Sequence, residues 1–178
     1  MNIGKKILIM GGSCAGKSTT AERLSKKFDI PVLHLDLYDP YVAPEGAERE
    51  KRKAKIKKVI IDTIKTDSWV IDGTYEWYSF QERMNAADTL VLLYSPVYKR
   101  IWCYIRTCAL RIKRHGRAGF SAKNFRMEHV WYMLKRKDAS YSLIENTIRQ
   151  HKKLQVVKLK SYKEIDDFIN NAKLNKAR

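Results

Sequence analysis

The chain has 178 residues, 44% of them hydrophobic, with no linker-like stretch and no internal repeat, which is enough for one good core and predicts a single domain over 1–178. No apolar run approaches the roughly 18 residues that a membrane-spanning helix needs, and the early apolar segment has no small-residue cleavage site, so a cytoplasmic protein is expected. The net charge of +17 is extreme and is explained by location: residues 49–58 hold seven basic side chains in ten, and residues 89–127 hold nine Lys or Arg without one carboxylate.

Residues 7–10 have the length and β-branched content of a buried strand, stopped by Gly11 and Gly12. Gly11-x-x-x-x-Gly16-Lys17-Ser18 follows, the full phosphate-loop spacing. A polyphosphate is held there by backbone N–H groups converging on one concavity, and Gly11, Gly12, Ser13, Cys14, Ala15 and Gly16 are all small enough to allow that approach. Lys17 brings a point charge to the phosphates and Ser18 a hydroxyl to Mg²⁺. The helix predicted over 18–28 adds the partial charge of its amino end, with Thr19 beside the ligand. Cys14, inside the loop, reads as a small filler. Three cysteines and four scattered histidines suggest reduced thiols and no zinc site.

Residues 31–36 alternate and end in Asp36, which reads as a second strand with its carboxylate at the carboxyl edge, where open parallel sheets bind ligands. A loop over 37–46 carries Pro40 and Pro44. Residues 47–65 have helical spacing at Ile56, Ile60 and Ile64, so their basic residues form a mostly solvated face. A third strand spans 68–71 and leads into Asp72-Gly73; a fourth, 89–94, is almost wholly apolar and therefore buried on both faces. A helix over 98–115 gathers Arg100, Thr107, Arg111 and Arg114 on one stripe. Another helix is predicted over 127–150, a fifth strand over 154–159, and a capping box at Ser161-x-x-Glu164 opens the last helix. Strands alternating with helices give a parallel α/β sheet, with a P-loop nucleoside-triphosphate enzyme as the default.

Three features carry the chemistry. Asp72 ends an apolar strand, as a magnesium-supporting carboxylate must. The acid-free segment 111–126 is glycine-flanked and arginine-rich, suited to closing over phosphates as a lid. Its competitor is a basic groove for DNA or RNA, with Trp102, Tyr104 and Phe120 as stacking surfaces. Asp36 fits either a general base for an alcohol acceptor or a group that orients a sugar or ribose hydroxyl.

Taken together, GGSCAGKST, IPVLHLD, SWVIDGTY and AADTLVLLYSP followed by an arginine-rich helix resemble the bacterial DNA-topology-modulation proteins, an adenylate-kinase-like branch of the P-loop kinases. The resemblance runs from Lys6 to about Ile169. It implies a nucleotide-kinase fold, three layers around a five-stranded parallel sheet in the order 2-3-1-4-5, with ATP and Mg²⁺ as ligands. By position it assigns phosphate binding to residues 11–18, metal support to Asp72, the acceptor side to Arg83, and the lid to Arg106, Arg111, Arg114 and Arg117. Adenylate kinases proper follow the Asp-Gly with Phe-Pro-Arg, whereas this chain has Thr74, Tyr75 and Glu76, a departure that counts against AMP as acceptor. The expected activity is transfer of the γ-phosphate of ATP to a nucleotide, nucleoside or similar small hydroxyl compound. The rival is a nucleic-acid-associated regulator that uses ATP only as a switch, although the charge alone accounts for non-specific nucleic-acid binding.

Overall fold

The computed structural model describes residues 1–38, 47–74, 79–109, 125–135 and 139–175. Tyr75, Glu76, Phe120 and nearly all of the expected lid, including Arg111, Arg114 and Arg117, lie outside these residues.

In chain order the elements are β1 (Asn2–Ile3), β2 (Lys6–Gly11), α1 (Lys17–Phe28), β3 (Val32–His34), α2 (Ala47–Ile64), β4 (Trp69–Asp72) and α3 (Phe80–Ala86). Then come β5 (Thr89–Leu93), α4 (Val97–Ala109), α5 (Met127–Lys135), α6 (Ala139–Gln150), β6 (Gln155–Leu159), α7 (Tyr162–Asn171) and β7 (Lys173–Leu174). The main sheet is β3-β4-β2-β5-β6, parallel throughout, which is the order 2-3-1-4-5 when only the five expected strands are counted. β1 and β7 are additions: they pair in parallel as a separate two-stranded sheet, Asn2 against Lys173 and Ile3 against Leu174.

Alternation along the strands sorts the core into two layers. Ile7, Ile9, Val91, Leu93 and Val157 face Leu24 of α1 and Ile165, Phe168 and Ile169 of α7. Leu8, Met10, Trp69, Ile71, Leu90 and Leu92 face Ile56 and Ile60 of α2, Phe80 and Met84 of α3, and Tyr141 and Ile144 of α6. Each large apolar side chain so buried contributes about 1.5–3 kcal/mol before chain entropy is charged against it. β4 and β5 are buried at every position, as expected for strands covered on both faces.

Local differences from the sequence reading have simple causes. The second strand stops at His34, and Asp36 lies on a 3-10 turn, Leu35–Leu37, closed by the Tyr38 N–H on the Leu35 carbonyl at 3.0 Å. The helical stretch 127–150 is described as two helices, α5 and α6, with 136–138 between them outside the described residues. Tyr104 is fully buried rather than presented as a stacking surface, because α5 packs on α4 there. It sits with Cys14, Cys108 and Met133, and its hydroxyl accepts from the Arg126 N–H at 2.9 Å. The last helix keeps half of its capping box: Ser161 accepts from the Glu164 N–H at 3.2 Å, while the Glu164 carboxylate reaches one residue further back, to the Lys160 N–H at 2.9 Å, and also accepts from the Ser161 hydroxyl at 3.0 Å.

Candidate active site

The loop between β2 and α1 has the form that a phosphate seat needs. Gly16 takes a φ of 94°, open to glycine at no steric cost, and α1 starts at the next residue without a side-chain cap and without an acid in its first turn. The amides at that end are therefore left for an anion. Cys14 also has a left-handed φ, 63°, at a site where strain is held by the surrounding cluster of Tyr104, Cys108 and Met133.

Long-range side chains brace the loop, and sequence reasoning did not find them. The Thr74 hydroxyl donates to the Gly11 carbonyl at 2.8 Å and accepts from the Gly11 N–H at 3.2 Å. Tyr141 of α6 accepts from the Gly12 N–H at 3.1 Å and donates to the Leu93 carbonyl at 2.9 Å. Ser13 Oγ lies 3.0 Å from His129 Nε2 on α5. Lys17 donates from Nζ to the Gly12 carbonyl at 3.1 Å, folded along the loop it belongs to.

A cleft of about 200 Å³ opens at the amino end of α1, lined by Lys17, Ser18, Thr19, Asp36, Cys103 and Tyr162 among others. It brings Asp36 to the same opening as the predicted phosphate contacts, although Asp36 arrives on a turn. Tyr162, the first residue of α7, approaches Gly16 closely enough that a Cβ there would lie 3.8 Å from its ring.

Asp72 lies at the carboxyl end of β4, in register with Ile9 of β2 and His34 of β3. His34 bridges two acids, with Nδ1 at 3.0 Å from Asp72 and Nε2 at 2.8 Å from Glu22. Burial opposes charge on this ring most strongly, but the bonds to Asp72 and then Glu22 together outweigh it, and the His34 pKa is raised above 6.5. The other Asp72 oxygen, Oδ1, is buried and makes no hydrogen bond. A hard divalent cation held mainly by phosphates and water needs one or two protein oxygens; Asp72 Oδ1 is an unengaged acceptor at the carboxyl end of β4, and Ser18 lines the cleft.

Among the described residues, the predicted Arg106 and Arg83 do not line this cleft. Arg106 is exposed on α4. Arg83 is fully buried and donates to the Gly73 carbonyl at 2.8 Å, which braces the turn after β4. Its burial, opposed by Glu82, pushes its pKa down to about 10.

Solved structures share this architecture. A deoxyadenosine kinase from M. mycoides covers 92% of this chain and 96% of its own at 16% identity, with a TM-score of 0.53. A gluconokinase from Sinorhizobium meliloti 1021 covers 96% and 90% at 13% identity, TM-score 0.53. A shikimate kinase from Acinetobacter baumannii, in complex with shikimate, covers 92% and 88% at 14% identity, TM-score 0.53. The fold is that of small-molecule kinases. No family model and no curated protein matches the sequence. At these identities the likeness concerns the fold, and the chemistry has to be argued from the site. Among the described residues no helix is long and apolar enough to cross a membrane.

Proposed function

We propose that this chain is an ATP-dependent phosphotransferase that moves the γ-phosphoryl group of ATP to a small hydroxyl compound, a nucleoside or a similar acceptor. The observation that carries the reading is the meeting of Lys17, Ser18 and Asp36 in one cleft at the uncapped amino end of α1. Within it the acceptor oxygen attacks phosphorus, the bond from phosphorus to the ADP oxygen breaks, and the acceptor proton passes to the Asp36 carboxylate. Lys17 would leave the Gly12 carbonyl to follow the charge developing on the transferred group. Ser18 and Asp72 Oδ1 would hold Mg²⁺, which when bound neutralises phosphate charge and aligns the phosphate oxygens. Residues 111–126, with Arg111, Arg114 and Arg117, together with Arg106, are proposed to close over the nucleotide.

The reading includes one domain over 1–178, cytoplasmic residence, and kinship with the DNA-topology-modulation proteins and their adenylate-kinase-like branch. That kinship rests on the motifs of the sequence. The acceptor is sought by coupled ADP release across nucleosides, monophosphates and sugars. Lys17→Ala should abolish turnover with the fold retained by circular dichroism. Substantial remaining kinase activity would refute the assignment.

A further inference from the structure

Arg100 is a buried cation that neither the motif nor the expected lid accounts for. It stands in the first turn of α4, is 3% exposed, and is packed on the backbone of the phosphate loop. A Cβ on Gly12 would lie 2.2 Å from Arg100 Nη1 and 2.7 Å from Cζ, so the guanidinium occupies the space left by the missing side chain of Gly12. Its Nε makes no hydrogen bond, and among the described residues no ion pair to the guanidinium occurs.

Among the described residues nothing neutralises it. The helix that carries Arg100 presents its own partial positive charge in the first turn, residues 89–127 contain no carboxylate, and Lys17 converges on the same residue, Gly12, from the carbonyl side. A buried charge without a partner is costly to the fold, and two cations on one glycine add to that cost. The Gly12 N–H, moreover, is already engaged by Tyr141. A bound anion would neutralise both cations at once, while the Gly12 N–H stays with Tyr141.

We infer that Arg100 is a phosphate-binding residue: its guanidinium, admitted to the loop by Gly12, takes an oxygen of the bound polyphosphate as its counter-ion. This deepens the phosphotransferase reading and rests on it for the identity of the anion. Arg100 is held in place by the core, unlike a lid arginine that must close.

The test compares wild type with Arg100→Met and Arg100→Lys by calorimetric titration with MgATP and with magnesium tripolyphosphate, and by thermal melting without ligand. Loss of a charge-assisted contact predicts Kd raised about 10- to 100-fold for both ligands in Arg100→Met, and a smaller rise in Arg100→Lys, which keeps the charge but loses the planar fork. The unliganded Arg100→Met protein should melt at or above wild type, because an unpaired buried charge has been removed. A merely structural arginine would give the opposite pattern, lower melting with affinity unchanged. Arg100→Met or, if that variant melts poorly, Arg100→Lys binding MgATP as tightly as wild type would overturn the inference while leaving the kinase reading intact. Wild type that binds tripolyphosphate through Arg100 but not MgATP would support the inference and sink the kinase reading. Wild type that binds neither overturns both.

Discussion

Tyr141→Phe is the most direct probe of how the phosphate loop is held. The ring should keep its place, since it lies 4.3 Å from Tyr94 between centroids and is almost wholly buried, so the change removes one oxygen and little else. That oxygen serves two backbone groups at once, the Gly12 N–H at 3.1 Å and the Leu93 carbonyl at 2.9 Å. A buried polar group left without its partner costs about 1–3 kcal/mol. The Leu93 bond is buried and loses most of its value, while Gly12, half-buried, regains part of its own from water, so the expected loss is about 2 kcal/mol. For a chain of this size that corresponds to about 4–8 °C in Tm. Urea unfolding followed by far-ultraviolet circular dichroism measures it as a lower midpoint at unchanged slope. Tyr94→Phe, altered at a more exposed hydroxyl of the same ring pair, serves as control and should stay within about 0.5 kcal/mol. If the two variants unfold at the same midpoint, Tyr141 does not brace the loop.

Asp36→Asn should lower the rate with a hydroxyl acceptor by about 10² to 10⁴ and leave MgATP affinity unchanged; loss confined to acceptor binding would remove the general-base role. His34→Gln tests the bridge between Glu22 and Asp72. Because the folded His34 pKa is raised, its contribution to stability is complete below the ordinary value of 6.5 and is lost as pH rises through the raised value. The wild-type advantage over His34→Gln should therefore be larger at about pH 6 than at about pH 8.5, and a gap that widens with pH would contradict the assignment. Ser161→Ala removes the cap of α7 and should cost about 1 kcal/mol in the same urea assay; no change would mean that the Ser161 hydroxyl does not stabilise the start of the helix.

The fold was legible wherever a pattern is local. Apolar runs at 7–10, 68–71 and 89–94 mark the central strands because both faces of the sheet are covered, and the spacing from Gly11 to Ser18 marks the loop because sterics and phosphate chemistry allow few alternatives. Strands β1 and β7, two residues each, are too short to carry a period. The bracing of the loop was illegible for another reason. Thr74 and Tyr141 reach it across 63 and 129 residues of chain, and the acids that flank His34 stand 12 and 38 residues away, so no window contains both partners. Tyr104 illustrates a third limit: aromatic side chains interleaved with arginines suit a nucleic-acid face as well as a helix seam, and only the packing of α5 distinguishes them. Arg100 was visible as part of a basic stripe, but the stripe does not say which arginine is buried.

The rings and sulfurs gathered around Cys14 tie the glycine-rich loop to α4 and α5, and the Ser13 link to His129 adds a polar strand to that tether. A ligand that draws Ser13 toward itself would stretch or break this 3.0 Å link to α5, whose Trp131 is 58% exposed to solvent. Indole emission is therefore expected to shift when the loop is occupied, read against Trp131→Phe so that the contribution of the other three tryptophans is subtracted.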